Sequence, residues 1–240
     1  MCGRFTLVRL DEFIRDLPWL SPPEVMPPPR YNIAPAQDIA VVPNTPEHKI
    51  EFFRWGLVPP WAKDIGIGSR MINARAESLA QKPSFGRPLE KRRCVVPADG
   101  FYEWRKEPRG PKTPLFIRLK SGRTLAMAGL WDVWQSPDGS ELRSCTIITT
   151  AANELVEPIH DRMPAILPLD ACARWLAPQP AAADQLLDLL KPFPAEAMEC
   201  YEVGLSVNSV ANDSPQCIAP AKPQTHRSAK SSDAVPGLFG

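Results

Sequence analysis

Histidine and tyrosine are scarce in this chain, three of each in 240 residues, and net charge is nearly absent at +1. The neutral balance removes any global electrostatic case for a polyanion partner, so a surface for nucleic acid has to come from local clustering. No apolar run approaches the length that spans a bilayer, which excludes a membrane helix. The first residues carry Arg4, Arg9, Asp11, Glu12, Arg15 and Asp16 where a secretory signal would be apolar. The six cysteines (Cys2, Cys94, Cys145, Cys172, Cys200 and Cys217) include no C-x-x-C pair and no cysteine–histidine cluster. That pattern argues against structural zinc and calls for no metal or cofactor. It implies a cytoplasmic protein with reduced thiols, most of them packed as small hydrophobes. There is no internal repeat and no long linker, so one domain over residues 1–219 with a tail at 220–240 is the economical reading.

Proline, by contrast, is plentiful: 29 residues spread along the chain imply long stiffened loops rather than a helix-dominated fold. Apolar spacing predicts a helix over 8–17, stopped by Pro18, and strands at 39–42, 51–58 and 142–150. Residues 62–70 read as loop, and 73–82 as a short helix that Pro83 ends. Residues 92–104 read as two short strands bent at Pro97 and Asp99-Gly100. The dipeptide Ser121-Gly122 between two β-rich runs predicts a hairpin over 115–130, and Pro137-Asp138-Gly139 a second turn. Leucine and tryptophan at helical spacing predict helices at 169–176 and 181–190, and 207–210 reads as a last short strand. Short strands joined by turns, with helices at the margins, point to an α+β fold with an antiparallel, barrel-like sheet. The tail is rich in Lys, Ser, Pro and Ala and reads as disordered. Its Leu238-Phe239 pair loosely resembles peptides that dock on the bacterial sliding clamp, but the pattern is short, and a tail without a partner is the preferred reading.

Several stretches carry chemistry. If Met1 is removed, Cys2 presents an α-amine and a thiol on adjacent carbons, with unperturbed pKa values of ~8 and ~8.5. An amine condenses with an aldehyde to an imine, and a neighbouring thiol can close on that imine to a five-membered thiazolidine. The alternative is a small hydrophobe that happens to follow Met1. Asn73-Ala74-Arg75-Ala76-Glu77 reads either as a helix start capped by Asn73 or as an amide beside a phosphate-gripping arginine. Phe101-Tyr102-Glu103-Trp104 sets a carboxylate among aromatics, where drying would raise its pKa toward neutrality. Solvation beside Arg105 or Lys106 is the equal alternative. Of the three histidines, His160 in Ile159-His160-Asp161-Arg162-Met163-Pro164 is the one suited to acid–base work, against the commoner fate of satisfying loop backbone. Arg54, Trp55, Pro59, Pro60 and Trp61 form an aromatic shelf that suits stacked bases, although a core strand uses the same residues and is the more frequent explanation.

Taken together, Met1-Cys2-Gly3-Arg4-Phe5, Tyr31-Asn32-Ile33-Ala34-Pro35, Arg54-Trp55-Gly56-Leu57-Val58-Pro59, Asn73-Ala74-Arg75-Ala76-Glu77, Arg93-Cys94 through Trp104, the His160 loop and Val207-Asn208 follow one order. In that order the chain resembles the SOS-response-associated peptidase (SRAP) family over roughly residues 2–218. The resemblance implies a protein of the DNA damage response that shields abasic sites in single-stranded DNA. On this reading Cys2, freed of Met1, forms a reversible covalent crosslink with the opened sugar. It implies that Asn73 positions Cys2 and the sugar, that Glu103 transfers protons, and that His160 assists ring opening and crosslink reversal. Arg4, Arg75 and Arg162 would contact phosphates, Trp61 would stack on or wedge a base, and Thr149 would support the site near His160. A monomer acting on single-stranded DNA is expected. The family's name also keeps a cysteine-dependent (auto)peptidase open, and a passive single-strand binder is the third reading.

Overall fold

The segment Arg93-Cys94-Val95-Val96-Pro97-Ala98 is buried at every position, the mark of a strand covered on both faces. It forms the middle of a sheet that closes on itself in the computed structural model, which describes residues 2–221. In chain order the elements are β1 (Phe5–Leu7), α1 (Leu10–Asp16), β2 (Arg30–Ile33), β3 (Asp38–Pro43), β4 (Glu51–Trp55), β5 (Asn73–Arg75), α2 (Gly86–Lys91), β6 (Arg93–Ala98), β7 (Gly100–Arg105), β8 (Thr113–Leu119), β9 (Leu125–Gln135), β10 (Glu141–Ala151), β11 (Arg162–Pro164), β12 (Ile166–Leu167), α3 (Leu169–Trp175), α4 (Ala183–Leu187) and β13 (Met198–Glu202). Strands β4, β3, β6, β9 and β10 pair in that sequence, and β10 returns to β4 in parallel, so five strands close a barrel. Strands β5, β11 and β12 extend it. A second sheet runs β13-β8-β7-β1-β2. The fold is α+β and mainly antiparallel in a single domain, as the strand-and-turn pattern predicts.

The chain crosses between the sheets four times, from β2 to β3, β6 to β7, β8 to β9 and β12 to β13, and two of these corners frame the β7–β8 pair. At the first, β6 hands over to β7 through Asp99, whose carboxylate accepts the N–H of Val8 and, at 2.8 Å, Nε of Arg9. Asp99 thereby ties the start of α1 to the strand switch. Gly100 follows because a Cβ there would lie 2.5 Å from the Phe116 ring and 2.6 Å from the Ile117 carbonyl. At the second corner, Ser121-Gly122 carries β8 into β9. The expected hairpin is therefore absent: β8 pairs with β7 and β13, and β9 with β6, β10 and β12. A turn dipeptide reports that the chain bends, not that the flanking strands meet. The true hairpin is β9–β10, with Glu141 opposite Gln135 around the Pro137-Asp138-Gly139 turn.

Three more expectations are corrected. Residues 73–75 form a strand rather than a helix start, because pairing alongside Ile147–Thr149 of β10 overrides local helix preference; only a 3₁₀ turn at Ala76–Ser78 follows. Residues 205–208 form a 3₁₀ turn rather than a strand, and the Val207 carbonyl accepts from side chains instead of a ladder. Residues 65–70 are 3₁₀ rather than loop. The tail from Lys222 on, with Leu238 and Phe239, lies outside the described residues, as does Met1. The six cysteines are free, and all except Cys200 are buried. Among the described residues no helix is long and apolar enough to cross a membrane.

Candidate active site

Strand β1 sets the position of Cys2. Phe5 pairs with Phe101, and the Tyr102 N–H donates to the Arg4 carbonyl at 2.9 Å. In antiparallel register each step back along β1 is a step forward on β7, so the residues before Arg4 run past Glu103. Alternation along β7 divides its side chains. Phe101 joins the main core with Cys2 and Phe5, while Tyr102 and Trp104 belong to a second apolar cluster with Phe116 and Val207. Glu103 is only 4% exposed, so the dry reading prevails over the solvated one. Arg105, the suggested partner in solvent, is held instead by Glu107 and Glu202.

Burial pushes the Glu103 carboxyl above the ordinary range, an effect that Lys112 partly offsets. Burial and then the Glu103 charge push the Cys2 thiol well above its usual value. The two groups thus lie within each other's field, and at neutral pH the thiol keeps its proton. Strand β5 brings in Asn73, whose Nδ2 donates to the Cys2 carbonyl at 2.8 Å.

His160 arrives from the other end of the same ladder. Thr149 of β10 stands opposite Arg75 of β5 on one side and Pro164 of β11 on the other, and the His160 loop leads into β11. The loop is shaped by Asn153, whose Oδ1 accepts the Val156 N–H at 3.0 Å before the His160 N–H closes on the Val156 carbonyl at 2.9 Å. Nδ1 of His160 lies 3.0 Å from the Arg162 N–H and 2.8 Å from Asp161 Oδ1. One nitrogen cannot accept from the first and donate to the second at once. Burial foremost, with Lys106 and Lys112 adding, holds the imidazole below its ordinary pKa, although Asp161 opposes this. The neutral ring follows, with Nδ1 the acceptor and the proton on Nε2.

The residues expected to meet DNA divide by exposure. Arg75 is exposed, and Trp61 is 60% exposed on the loop after β4. Trp55, the other half of the proposed shelf, is fully buried and packs edge-on to Phe5 at 5.2 Å. The Trp61 loop is held close to the barrel by glycine against glycine. A Cβ on Gly56 would lie 2.6 Å from the Gly68 carbonyl, and one on Gly68 would lie 2.7 Å from the Gly56 carbonyl. Arg4 Nη1 donates to Asn32 Oδ1 and to the Val207 carbonyl, both at 2.8 Å, and its guanidinium lies 5.9 Å from the Trp104 ring centre. Arg162 donates to both Glu77 oxygens at 2.8 Å and to the Thr149 carbonyl at 2.6 Å. Thr149 is fully buried, behind Arg162 rather than on the surface.

A family model for SOS response associated peptidases matches residues 1–210. The chain belongs to the SRAP family. Abasic site processing protein YoqW of Bacillus subtilis (strain 168) is 47% identical over 223 residues, 91% of this chain and 99% of that protein. Abasic site processing protein HMCES of Gallus gallus is 35% identical over 221 residues, 82% of this chain and 65% of that longer protein. A crystal structure of a protein from Bacteroides thetaiotaomicron matches with a TM-score of 0.82 at 29% identity, covering 92% of this chain and 100% of that one.

Within this SRAP chain, the sequence did not reveal what four residues do at the site. Asn32 is fully buried and donates to the carbonyls of Val207, Ser209 and Asn212 while accepting from Arg4. Glu77 grips Arg162, and the charges of Lys106 and Lys112 act on His160. Asn32 and Glu77 do sit inside motifs that carry the SRAP resemblance, which was the available signal. The lysines sit in a plain basic loop and carried none.

Proposed function

We propose that this chain processes abasic sites in single-stranded DNA by forming a thiazolidine crosslink through Cys2 once Met1 has been removed. The observation that carries the reading is the grouping at Cys2: its carbonyl is held by Asn73, and its thiol lies in the field of a dry Glu103 carboxylate. Kinship with an abasic site processing protein at 47% identity supports the substrate class. An abasic nucleotide lacks a base, so drawing its sugar into a protein site costs little unstacking.

The chemistry balances as follows. The closed sugar opens when the C1′ hydroxyl loses a proton and the ring oxygen gains one, a transfer that neutral His160 serves through Nε2, giving its proton to the ring oxygen and taking the hydroxyl proton in return. The Cys2 amine adds to the aldehyde to give a carbinolamine. Glu103, its pKa raised by burial, is suited to protonate the departing hydroxyl, so that water leaves and an imine forms. The thiol sulfur then bonds to the imine carbon, and the thiol proton passes by way of the Glu103 carboxylate to the nitrogen. Sugar and protein combine with loss of one water. Arg75, Arg162 and Arg4 supply cations for the flanking phosphates and Trp61 a face for a base, which suits modest, salt-sensitive and sequence-tolerant binding before the bond forms.

A general cysteine peptidase has less support, because such a nucleophile needs a depressed thiol pKa and Cys2 has a raised one. The test is a denaturing gel of the purified protein mixed with a single-stranded oligonucleotide carrying one abasic site. The reading expects a heat-resistant protein–DNA band that is lost in Cys2→Ala and in a form that retains Met1. Binding without a covalent band would leave a passive binder. Peptide cleavage that disappears with Cys2→Ala would promote the peptidase.

A further inference from the structure

The Arg162 guanidinium already holds an anion. Both of its outer nitrogens contact the Glu77 carboxylate at 2.8 Å, the fork geometry in which arginine also takes a phosphate. The arginine side chain is 12% exposed, whereas that of Glu77 is 56% exposed, so the carboxylate forms the solvent-facing lid of the pair. The seat is also incomplete. Nη2 has the Thr149 carbonyl at 2.6 Å, but the buried Nε has no hydrogen-bond partner. Arg162 is anchored to the site from behind as well, since its own N–H donates to His160 Nδ1. The main chain is thus fixed beside His160, and the Nη2 contact to the Thr149 carbonyl holds the guanidinium independently of the anion on it.

We propose that Glu77 is an internal stand-in for a phosphate, occupying Arg162 in the resting protein until a phosphodiester of the single strand displaces it. The proposal rests on the reading of Arg162 as a phosphate contact. Exchange of one anion for another on the same fork returns little net free energy, so undamaged strand is held weakly at this seat. Long residence is left to the covalent step. The pair also carries no net charge: a strand that meets Arg162 meets the displaced Glu77 carboxylate too. Counterion release at this seat is then largely cancelled. Glu77 is in this sense a specificity residue, set against binding that does not lead to a bond.

The experiment measures equilibrium binding of the full chain to a short single-stranded oligonucleotide carrying a tetrahydrofuran abasic analogue, which cannot form an imine. Fluorescence anisotropy is followed across a sodium chloride series. Glu77→Gln keeps the shape and one acceptor and removes the charge. It should tighten binding about threefold to tenfold and steepen the salt dependence by roughly 0.7 in log K against log salt, the share of one single-strand phosphate contact. Arg162→Gln should weaken binding. The gain from Glu77→Gln should vanish in the double variant, because Glu77 acts through Arg162; a general charge effect would persist there. If Arg162→Gln binds as tightly as the parent, the phosphate reading of Arg162 falls and the proposal with it. If Arg162→Gln weakens binding but Glu77→Gln does not strengthen it, or the gain survives in the double variant, the proposal alone is overturned.

Discussion

The Asn73 side-chain amide donates to the Cys2 carbonyl at 2.8 Å across 71 residues of chain, and its oxygen is buried with no hydrogen-bond partner. One half of the amide fixes the backbone beside the proposed nucleophile, and the other half keeps an acceptor unspent. A buried acceptor without a partner is costly, so its persistence at this spot marks a site that a ligand N–H or O–H can complete.

Asn73→Asp keeps the shape but replaces the donor with an oxygen facing the Cys2 carbonyl. Crosslinking should slow by about tenfold to a hundredfold, in line with one lost positioning hydrogen bond plus repulsion. Single-turnover gels at saturating oligonucleotide check this, and an unchanged rate would remove Asn73 from the site.

Glu103 should trade stability for chemistry. Its folded pKa is raised, so above the unfolded carboxyl pKa the unfolded chain gives up its proton to water while the native state still holds it, and above the folded pKa the native state carries a buried charge. That cost grows as pH rises from the unfolded value through the folded one. Glu103→Gln is therefore expected to raise Tm at pH 7, with the advantage fading below the ordinary glutamate pKa, while crosslinking is lost. A Tm at pH 7 below that of the parent would contradict the assignment of burial as the dominant effect.

His160 gives the opposite sign. Its folded pKa is depressed, so as pH falls from the ordinary histidine value the unfolded chain takes up the proton first, and the native state loses stability until the depressed value is passed. The acid limb of the crosslinking rate should accordingly lie below the ordinary histidine pKa. Lys112→Gln should move that limb upward, because Lys112 opposes the imidazolium. Initial rates across a pH series read both effects.

Arg93 predicts a structural failure far from the chemistry. The residue is fully buried, and its guanidinium donates to the carbonyls of Trp175, Leu89, Glu90, Ala177 and Gln179. It thus satisfies the carbonyl ends of α2 and α3 together. Arg93→Met leaves those acceptors buried and should cost about 3 kcal/mol or more in urea unfolding. A loss under about 1 kcal/mol would mean that water replaces the guanidinium.

The residues by themselves determined which chemistry is available: an aminothiol if Cys2 is exposed at the N-terminus, one usable imidazole at His160, and a carboxylate among aromatics at Glu103. They also determined the strand character of Ile39–Val42, Cys94–Val96 and Ile147–Ile148, where branched apolar side chains run together. Tertiary structure decided the partners. Asn73–Arg75 became a strand because β10 offered a free edge, and Ser121-Gly122 joined two sheets because β8 found its neighbours in β7 and β13. It also decided the state of each group. Periodicity shows which side of a strand is buried, but not what stands across from it. The raised Glu103, the neutral His160 and the Glu77 carboxylate on Arg162 all depend on neighbours that lie far away along the chain.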